Sequence, residues 1–424
     1  MVIKNFVQLA TTPLRRTALE IVEAGFQAIR TRDVVQAQVK LDGSILRIKD
    51  KEFNLDNYSH LYVFGAGKGA FDAVAQLEAI LGEMITYGVV IDVRGGQLKR
   101  VGSAVGTHPD PSQVNVETTS LIMKMVQDAP ATSLILFVIT GGGSALLTAP
   151  FEIGYRSKAK IIDSLMAADA NIYELNVVRK HLSMIKGGRL AKLAYPRQVV
   201  SLIFSDVPGN DVSTIASGPT SLDSTTNEDA AAILKRRGVW KDLSLEALEF
   251  SETPKDSKYF EKVTNIILQD PSSVVFAMQD RARELGWPAR IYATDLQGEA
   301  EKVGLVLLAS SKKAQVLLAS GETTVKVTDG GVGGRCQHLV LANLRNIKPG
   351  QVLVAAASDG HDNSDSAGAI ADENSFHRAV NGGLDPDDFL HRADSFEFFQ
   401  KQGDSLQTGL LESNVADFFL ILQQ

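Results

Sequence analysis

Short runs of β-branched and aromatic residues constrain the fold of this chain more than any other feature. Four such runs, residues 61–64, 134–140, 199–204 and 352–357, end in a glycine-rich or acidic loop that is followed by a helical pattern. Continuous apolar runs that alternate with helices are typical of buried parallel strands in βαβ units. The pattern therefore predicts an α/β fold, in which ligands bind beyond the carboxyl ends of the strands.

The length of the chain predicts two domains, because 424 residues exceed the common domain size of about 150. Composition shifts to charged and turn-forming residues between 235 and 262, which indicates a linker. We therefore predict an N-terminal α/β domain over residues 1–250 and a C-terminal one over 251–424. Periodicity predicts helices over 13–32 and 172–193 and strands over 316–319 and 323–327, and residues 273–285 are predicted to start a second α/β unit.

Composition excludes several classes of protein. The 43 Lys and Arg against 50 Asp and Glu give a net charge of −7, and no basic stripe interleaved with aromatics is present, so nucleic acid is not expected as a partner. Apolar runs are too short for a membrane span. Cys336 is the single cysteine, which rules out an internal disulfide. The N-terminal residues do not form a signal-peptide pattern, and we expect a cytoplasmic protein, either monomer or homodimer.

A glycine turn with a lysine follows the first strand, in the sequence Gly65-Ala-Gly67-Lys68-Gly69-Ala70. Glycines let the backbone approach an anion, and a helix N-terminus offers free N–H groups. The turn satisfies the GxGxxA dinucleotide pattern, with Asp92 as an acid after the next strand, but that pattern alone has low specificity. Lys68 favours an anion such as phosphate or carboxylate. A tight turn with a solvated lysine is the structural alternative.

A second glycine turn, Gly141-Gly142-Gly143-Ser144, follows the most apolar strand. Three glycines raise the entropy cost of folding, and a plain turn rarely needs all three. We therefore predict a phosphate-binding nest with Ser144 at a helix start. Gly65, Gly67 and Gly141 to Gly143 with Ser144 are the predicted nucleotide-binding residues. A tight packing turn is again the alternative.

The segment from Leu175 to Arg189 predicts a helix with a polar face. Arg179, Ser183 and Lys186 share that face at helical spacing, so cationic donors could converge there on an acidic ligand. Solvated surface residues are the equally weighted alternative. His108, in Thr107-His108-Pro109-Asp110, is explained by turn chemistry alone.

Acidic residues follow two other strands. Asp206 and Asp211 come after the run at 199–204, and Asp359 comes after the run at 352–357. Such carboxylates can hold Mg²⁺ together with substrate phosphates, or act as a base toward a hydroxyl. We predict all three as metal ligands, with Asp206 also a candidate base, although Asp often serves local turns.

A glycine-rich loop from Gly330 to Gly334 presents Arg335 at a helix start. A guanidinium in that place is suited to bidentate capture of carboxylate or phosphate. Because cations on glycine loops contribute little to a core, we expect Arg335→Ala to leave the fold nearly intact.

Together these segments resemble the type II glycerate kinases, the family with a C-terminal MOFRL domain. The motifs that carry the resemblance run in order from about Arg15 to Leu422, and they are GAGKGA, TGGGSALL, LNVVRKHLSMIKGGRLA, SDVPGNDVSTIASGPT and GGVGGRCQHLVLA. The resemblance implies two Rossmann-like three-layer domains, each a largely parallel sheet flanked by helices, with the active site in the cleft between them. It also implies that Lys68 and Arg335 are active-site residues.

The implied reaction transfers phosphate from ATP, with Mg²⁺, to the 2-hydroxyl of D-glycerate, giving 2-phosphoglycerate. Lys68, Ser144, Arg179 and Arg335 are the predicted substrate-binding residues, and Lys68, Arg335 and Asp206 the predicted catalytic ones. Cys336, Gln337 and His338 stand where the family usually has Asn-Gln-Glu, so a different hydroxy acid is an alternative substrate. The sequence is also compatible with an NAD(P)-dependent hydroxypyruvate reductase and with a non-catalytic protein that binds an acidic metabolite.

Overall fold

The computed structural model describes residues 1–326, 330–411, 413 and 415–424. The described residues form fifteen strands: β1 Val39–Asp42, β2 Ile45–Ile48, β3 Lys51–Asn54, β4 Leu61–Ala66, β5 Tyr87–Asp92, β6 Val101–Val105, β7 Leu134–Ile139, β8 Gln198–Phe204, β9 Val263–Gln269, β10 Ala289–Glu299, β11 Gln315–Thr324, β12 Gln351–Ala356, β13 Gly368–Asp372, β14 Ser405–Leu406 and β15 Asp417–Gln423.

They also form seventeen α-helices: α1 Phe6–Leu9, α2 Pro13–Ala28, α3 Thr31–Gln38, α4 Ala70–Leu81, α5 Gln113–Asp128, α6 Gly143–Leu146, α7 Tyr155–Ala167, α8 Ile172–His181, α9 Arg189–Ala194, α10 Asn227–Arg236, α11 Val239–Asp242, α12 Pro271–Glu284, α13 Ala300–Ser310, α14 Arg335–Ala342, α15 Ser375–Asn381, α16 Pro386–His391 and α17 Ser395–Gln402. No described helix has both the length and the apolar character that a membrane crossing requires.

The chain divides into two compact units whose boundaries differ from the predicted ones. The inserted unit is Val34–Leu268, and the terminal unit combines Met1–Asp33 with Gln269–Gln424. The predicted division at residue 250 falls inside the inserted unit, because the chain continues to β9, the last strand of that unit's sheet. The first 33 residues belong with the C-terminal part, because α2 packs on α12.

The inserted unit is built on a six-stranded sheet in the order β6-β5-β4-β7-β8-β9. Strands β4 to β8 pair in parallel with their neighbours, and apolar side chains form a core on each face. The carboxyl ends of β4 and β7 therefore lie next to each other. The α/β class and the strands predicted at 61–64, 134–140 and 199–204 are confirmed.

The terminal unit corrects the expectation of a second largely parallel sheet. Its order is β10-β11-β15-β12-β13-β14, and β10 with β11 is the parallel pair. The other neighbours are antiparallel. The connection from β12 to β13 contains no helix, and antiparallel neighbours do not need a helical crossover. The strands predicted at 316–319 and 323–327 are the single strand β11, and residue 327 lies outside the described residues.

Helix α2 completes the core of the terminal unit. Thr12 caps it by accepting the Arg15 N–H, and Pro13 occupies its first position, where a missing N–H does no harm. Phe26 meets the ring of Phe418 edge-on, with centroids 4.9 Å apart. A Cβ at Gly25 would come within 2.8 Å of Met278, so the glycine allows α12 to approach closely.

The helix predicted over 172–193 is interrupted in the structure. Asn171 and Glu174 form a capping box that starts α8, which ends at His181. Gly187 and Gly188 have φ of 58° and 81°, and α9 begins after them. Arg179, Ser183 and Lys186 therefore do not share a helical face, and the Ser183 hydroxyl accepts the N–H groups of Ile185 and Lys186 instead of facing a ligand.

Candidate active site

The two glycine turns of the inserted unit lie side by side, because they follow the neighbouring strands β4 and β7. The Lys68 N–H donates to the Gly141 carbonyl at 2.8 Å and joins them. Gly67 has a φ of +130°, and a Cβ there would lie 2.1 Å from the Thr140 hydroxyl oxygen. Only glycine allows this close approach of the two turns.

Several polar groups at these turns have no partner. Within the described part of the chain, the N–H groups of Gly69, Gly141 and Gly142 find no acceptor, and the buried Thr140 hydroxyl makes no hydrogen bond. A buried hydroxyl is normally paired, so the lone Thr140 hydroxyl between these strand-to-helix turns needs an explanation. An anion at the two turns would supply it, as predicted for Gly141 and Gly142.

Gly65 and Gly67, also predicted to bind nucleotide, have packing reasons instead. Gly65 lies inside β4, where a Cβ would come within 2.9 Å of Val74 and Val90. The Gly67 N–H already donates to the Ile91 carbonyl. The observed unpaired donors favour Gly69, Gly141 and Gly142 as the anion-binding glycines.

Asp92 closes the N-terminus of α4. This buried carboxylate accepts the N–H of Phe71, in the first turn of the helix, at 3.0 Å and that of Val93 as well. In a dinucleotide fold the helix N-terminus receives the pyrophosphate, and the acid after the second strand binds a ribose. Here the acid occupies the helix end itself, which counts against a dinucleotide site at GxGxxA.

Ser144 is held in place by a strained turn. Its hydroxyl lies 3.3 Å from that of Ser217, which donates to the Asn176 side chain at 2.8 Å. Ala216 and Ser217 have φ of 49° and 60°, a conformation that costs side-chain-bearing residues free energy and that clusters at functional sites. Ser217 and Asn176 are not among the predicted site residues, although both lie in motifs that carry the family resemblance.

A cavity of about 200 Å³, here called the cation pocket, opens beside Ser144. Arg179 and Lys158 provide its cations, and Ile162 and Met166 lie on its apolar wall. Its other lining residues are His108, Pro109, Asp110, Pro111, Ala145, Thr148, Tyr155, Ala159 and Asp163. The predicted substrate-binding residues Ser144 and Arg179 are thus brought together.

The cations at this pocket lack carboxylate partners. Lys158 is 7% exposed and its Nζ makes no hydrogen bond. Lys186 is fully buried and reaches only the Ala216 carbonyl, at 3.4 Å. Within the described ranges, neither lysine nor Arg179 forms an ion pair. Burial lowers the pKa of Arg179, and the nearby Asp163 raises it without forming an ion pair. Buried charges are normally paired, so this cluster is a candidate anion site.

Mutual repulsion and burial shift the pKa values of these groups. Burial, followed by the charges of Arg179 and Arg189, lowers the pKa of Lys158 to about 7. Burial, then Lys158 and Arg179, lowers the pKa of Lys186 well below its usual value. A group with a perturbed pKa that lines a cavity, as Lys158 does, is typical of a functional site.

Lys158 is not among the site residues predicted from the sequence. It lies on the same face of α7 as the buried Ile161, Ile162 and Leu165, at spacings of three, four and seven. A lysine inside an apolar stripe is the signal that could have found it. His108 also lines the pocket, and a Cβ at Gly142 would lie 3.0 Å from His108 and 3.4 Å from Lys68, so both side chains lie beside this glycine. Burial, then Lys68, lowers the pKa of His108.

Arg335, in the terminal unit, is not a free cation. Its Nε and Nη2 contact the buried Asp417, and Nη2 also donates to Glu322 at 2.8 Å. Burial alone would lower the pKa of Arg335, but Asp417 raises it. Nη1 makes no hydrogen bond among the described residues, so an anion could bind there while Asp417 and the exposed Glu322 keep their contacts.

A cavity of about 270 Å³ beside Arg335 is lined by Asp359, which was predicted as a metal ligand, and by three further acids, Glu322, Asp362 and Asp417. Asp362 accepts the N–H groups of Cys336 and Gln337 at the start of α14. Burial, then the charge of Asp417, raises the pKa of Asp362 to about 7, and burial raises that of Asp417 to about 6 although Arg335 opposes it.

The three predicted metal ligands have different surroundings. Asp211 accepts hydrogen bonds from Ser213 and Thr214, which serve its own turn and make it a poor ligand. Asp206 follows β8, and Asp359 lines the cavity beside Arg335. No group of three or more His, Cys, Asp or Glu suited to a metal is found among the described residues.

Comparison with known families supports the resemblance in sequence. A domain of unknown function, DUF4147, matches residues 17–252, and the MOFRL family matches residues 315–417. The match to the first of these covers more than half of the chain. Together the two matches account for both glycine turns, the cation pocket and Arg335.

Individual proteins give the same result. The chain is 32% identical to the D-glycerate 2-kinase of Thermotoga maritima over 96% of this chain and 98% of that protein. It is 34% identical to an Agrobacterium vitis protein whose name, hydroxypyruvate reductase, is given provisionally, over 85% of this chain and 86% of that one. The crystal structure of a Thermotoga maritima glycerate kinase matches with a TM-score of 0.86 at 30% identity and covers 96% of this chain and 99% of that one. The chain therefore belongs to the glycerate kinase family.

Proposed function

We propose that this protein is an ATP-dependent kinase that phosphorylates the 2-hydroxyl of D-glycerate to give 2-phosphoglycerate. The observation that carries the proposal is the cation pocket, where the buried Lys158 and Arg179 form no ion pair among the described residues, beside two turns with unpaired N–H groups. One anion site next to another is what an acid substrate and a phosphate donor need. We further propose that the protein acts in the cytoplasm, where ATP is available.

The residues have distinct roles in this proposal. Arg179 and Ser144 bind the substrate carboxylate, and the N–H groups of Gly141 and Gly142 hold phosphate oxygens. Lys68 stabilises the charge that moves with the phosphoryl group. Phosphoryl transfer needs little covalent chemistry from the protein, so positioning and electrostatics account for most of the rate.

Magnesium fits the residues present. Mg²⁺ that accompanies ATP commonly needs one or two protein carboxylates, with phosphates and waters as its other ligands. Asp206, in the loop at the carboxyl end of β8, would be such a ligand. When bound, the ion neutralises phosphate charge. The hydroxyl proton passes to a base, for which Asp206 remains our candidate.

A direct assay tests the proposal. The purified protein is incubated with ATP, Mg²⁺ and D-glycerate, and the product is identified by phosphorus NMR. We expect 2-phosphoglycerate. Product with the phosphate at the 3-position would contradict the proposed regiochemistry. Turnover only with another hydroxy acid would show that this acid, and not D-glycerate, is the substrate.

Lys68→Ala tests the role of the glycine-turn lysine. Loss of one transition-state charge contact typically lowers the rate by about 10²- to 10³-fold, and we expect that loss in kcat/KM at a nearly unchanged melting temperature. Lys68→Arg should not restore the rate, because a planar fork cannot replace a compact ammonium. Lys124→Ala, on the exposed face of α5, is the matched control. Near-normal turnover in Lys68→Ala would show that Lys68 does not stabilise the transition state.

A hydroxypyruvate reductase is the second candidate, favoured by the name of the Agrobacterium vitis relative. The Asp92 carboxylate at the start of α4 opposes it. Thermal-shift measurements separate the two, because a ligand that binds the native state raises its melting temperature. We expect ATP with Mg²⁺ to stabilise the protein. A shift with NADPH or NADH alone would favour the reductase.

A further inference from the structure

Lys158 is placed where the fold alone does not need it. It faces inward on α7 beside the apolar side chains of Ile161 and Leu165, yet it carries an ammonium group. Its Nζ has no hydrogen-bond partner among the described residues, and its side chain lines the cation pocket. A methionine or leucine would fill such a position without the desolvation of a charge.

The same unit shows how a structural buried lysine is treated. Lys180, 6% exposed, donates to Asp223 at 3.0 Å, and Asp223 is further bonded to Thr225 and Thr253. Lys158 has a similar degree of burial but no such network. The difference between the two lysines points to a partner for Lys158 that arrives from solution.

We propose that Lys158 binds the carboxylate of a short hydroxy acid in the cation pocket, together with Arg179. The inference rests on the proposed function for the identity of that acid. Lys186 does not line the cavity, and its lowered pKa disfavours a second charge beside Lys158. The apolar side chains of Ile162 and Met166 and the limited volume of about 200 Å³ favour a small, unbranched acid over a larger one.

The proposal predicts opposite effects of one substitution on binding and on stability. Lys158→Met removes a buried charge and keeps the shape of the side chain, so its melting temperature should equal or exceed that of the wild type. A charge-assisted hydrogen bond is lost, and D-glycerate binding should weaken at least about tenfold. Isothermal titration calorimetry with D-glycerate and no ATP measures binding, and calorimetric melting measures stability.

Two control variants show what an exposed lysine and a structural buried lysine contribute to binding and stability. Lys160→Met changes an exposed lysine two residues away on the same helix and should alter neither quantity. Lys180→Met removes the partner of Asp223 and should lower the melting temperature. A purely structural role for Lys158 would instead make Lys158→Met resemble Lys180→Met, with a lower melting temperature and unchanged affinity in the folded fraction, and that result would overturn the proposal.

A measurement on the wild type covers the case in which Lys158→Met does not fold. Cyanate carbamylates neutral amines, and mass spectrometry locates the modified lysines. We expect D-glycerate to slow modification of Lys158 at least about tenfold while leaving Lys160 unaffected. Equal modification of Lys158 with and without D-glycerate would refute its contact with the acid.

The kinase assignment and the anion site at Lys158 can fail separately, and binding measurements on the wild type distinguish the two cases. Wild-type protein that binds glycolate, lactate or inorganic phosphate through Lys158 but does not phosphorylate D-glycerate refutes the kinase assignment and supports the anion site. Wild-type protein that binds none of D-glycerate, glycolate, lactate and phosphate refutes the role of Lys158 itself.

Discussion

At the scale of single residues, the cation pocket is a concentration of like charge inside the inserted unit. Lys158 and Lys186 each have a lowered pKa because burial and the neighbouring cations disfavour their protonated forms. Charged groups of this kind reduce the stability of the empty protein. They are retained where binding or catalysis needs them.

The lowered pKa of Lys158 gives the free energy of unfolding a defined pH dependence. The unfolded lysine titrates near 10.5 and the folded one near 7, so between these values the unfolded state binds one proton more. Stability should therefore rise with pH across this window, by up to about 1.4 kcal/mol per pH unit, relative to Lys158→Met. Urea unfolding of both proteins from pH 7 to pH 9 measures the difference. A constant difference would contradict the shifted pKa.

Arg335→Ala should destabilise the protein, contrary to the expectation from sequence. Its removal leaves the buried Asp417 without a cation, and the half-exposed position of Arg335 limits the loss to about 1–3 kcal/mol at pH 8. The pKa of Asp417 is raised to about 6, and loss of Arg335 raises it further. The loss should therefore shrink at pH 5, where the carboxyl is neutral. Melting temperatures at both pH values, with exposed Arg345→Ala as control, test this.

Sequence reasoning found Ser144 and Arg179 because each stands in a pattern with a local chemical reason. It missed Lys158, since a lysine on a predicted helix is most often a solvated side chain. The approach of Lys186 to Lys158 depends on how the chain turns after α8, which no local spacing specifies.

At the scale of elements, the turns after β4 and β7 bring the two glycine motifs together. Neighbouring parallel strands place their loops at one edge of a sheet, so the pairing of β4 with β7 determines that Lys68 lies near Gly141. The close contact at Gly67 then fixes the distance between the loops.

Gly67→Ala should disrupt this junction. The added Cβ would meet the Thr140 hydroxyl and carbonyl at 2.1 and 2.5 Å in a backbone conformation that favours glycine. We expect a loss of about 3 kcal/mol or more in the free energy of unfolding. Gly43→Ala, with φ +58° and open space around it, should lose about 1 kcal/mol. Equal losses in urea unfolding would show that the junction tolerates a side chain.

The strands of the parallel sheet could be predicted because continuous apolar runs report burial on both faces. The break between α8 and α9 could not, because the apolar periodicity continues through Ile185 while Gly187 and Gly188 turn the backbone. The antiparallel pairing in the terminal unit could not be predicted either. An apolar run such as residues 352–357 indicates that a strand is buried but not whether its neighbours are parallel or antiparallel.

At the scale of the whole molecule, one unit is inserted into the other along the chain. The terminal unit takes its helix α2 from the first residues and the rest from after residue 268. Phe26 of α2 packs on Phe418, and Gly25 packs on Met278, so the early and late segments share one core.

Fragments should therefore differ in their ability to fold. Residues 31–269 contain every strand of the inserted unit's six-stranded sheet and should unfold cooperatively in urea. Residues 269–424 lack α2, expose the apolar faces that it covers, and should fold poorly until a peptide of residues 1–33 is added. Cooperative unfolding of 269–424 alone, unchanged by the peptide, would contradict this division.

The core of the terminal unit combines the first and last segments of the chain, so it can form only at the end of synthesis. The ribosome makes α2 almost first and β15 last, so the apolar side of α2 has no partner while the inserted unit is completed. A chain that stops early would carry a folded inserted unit and an uncovered α2. Chaperones and proteases that recognise exposed apolar surface can thus distinguish an unfinished chain from a finished one.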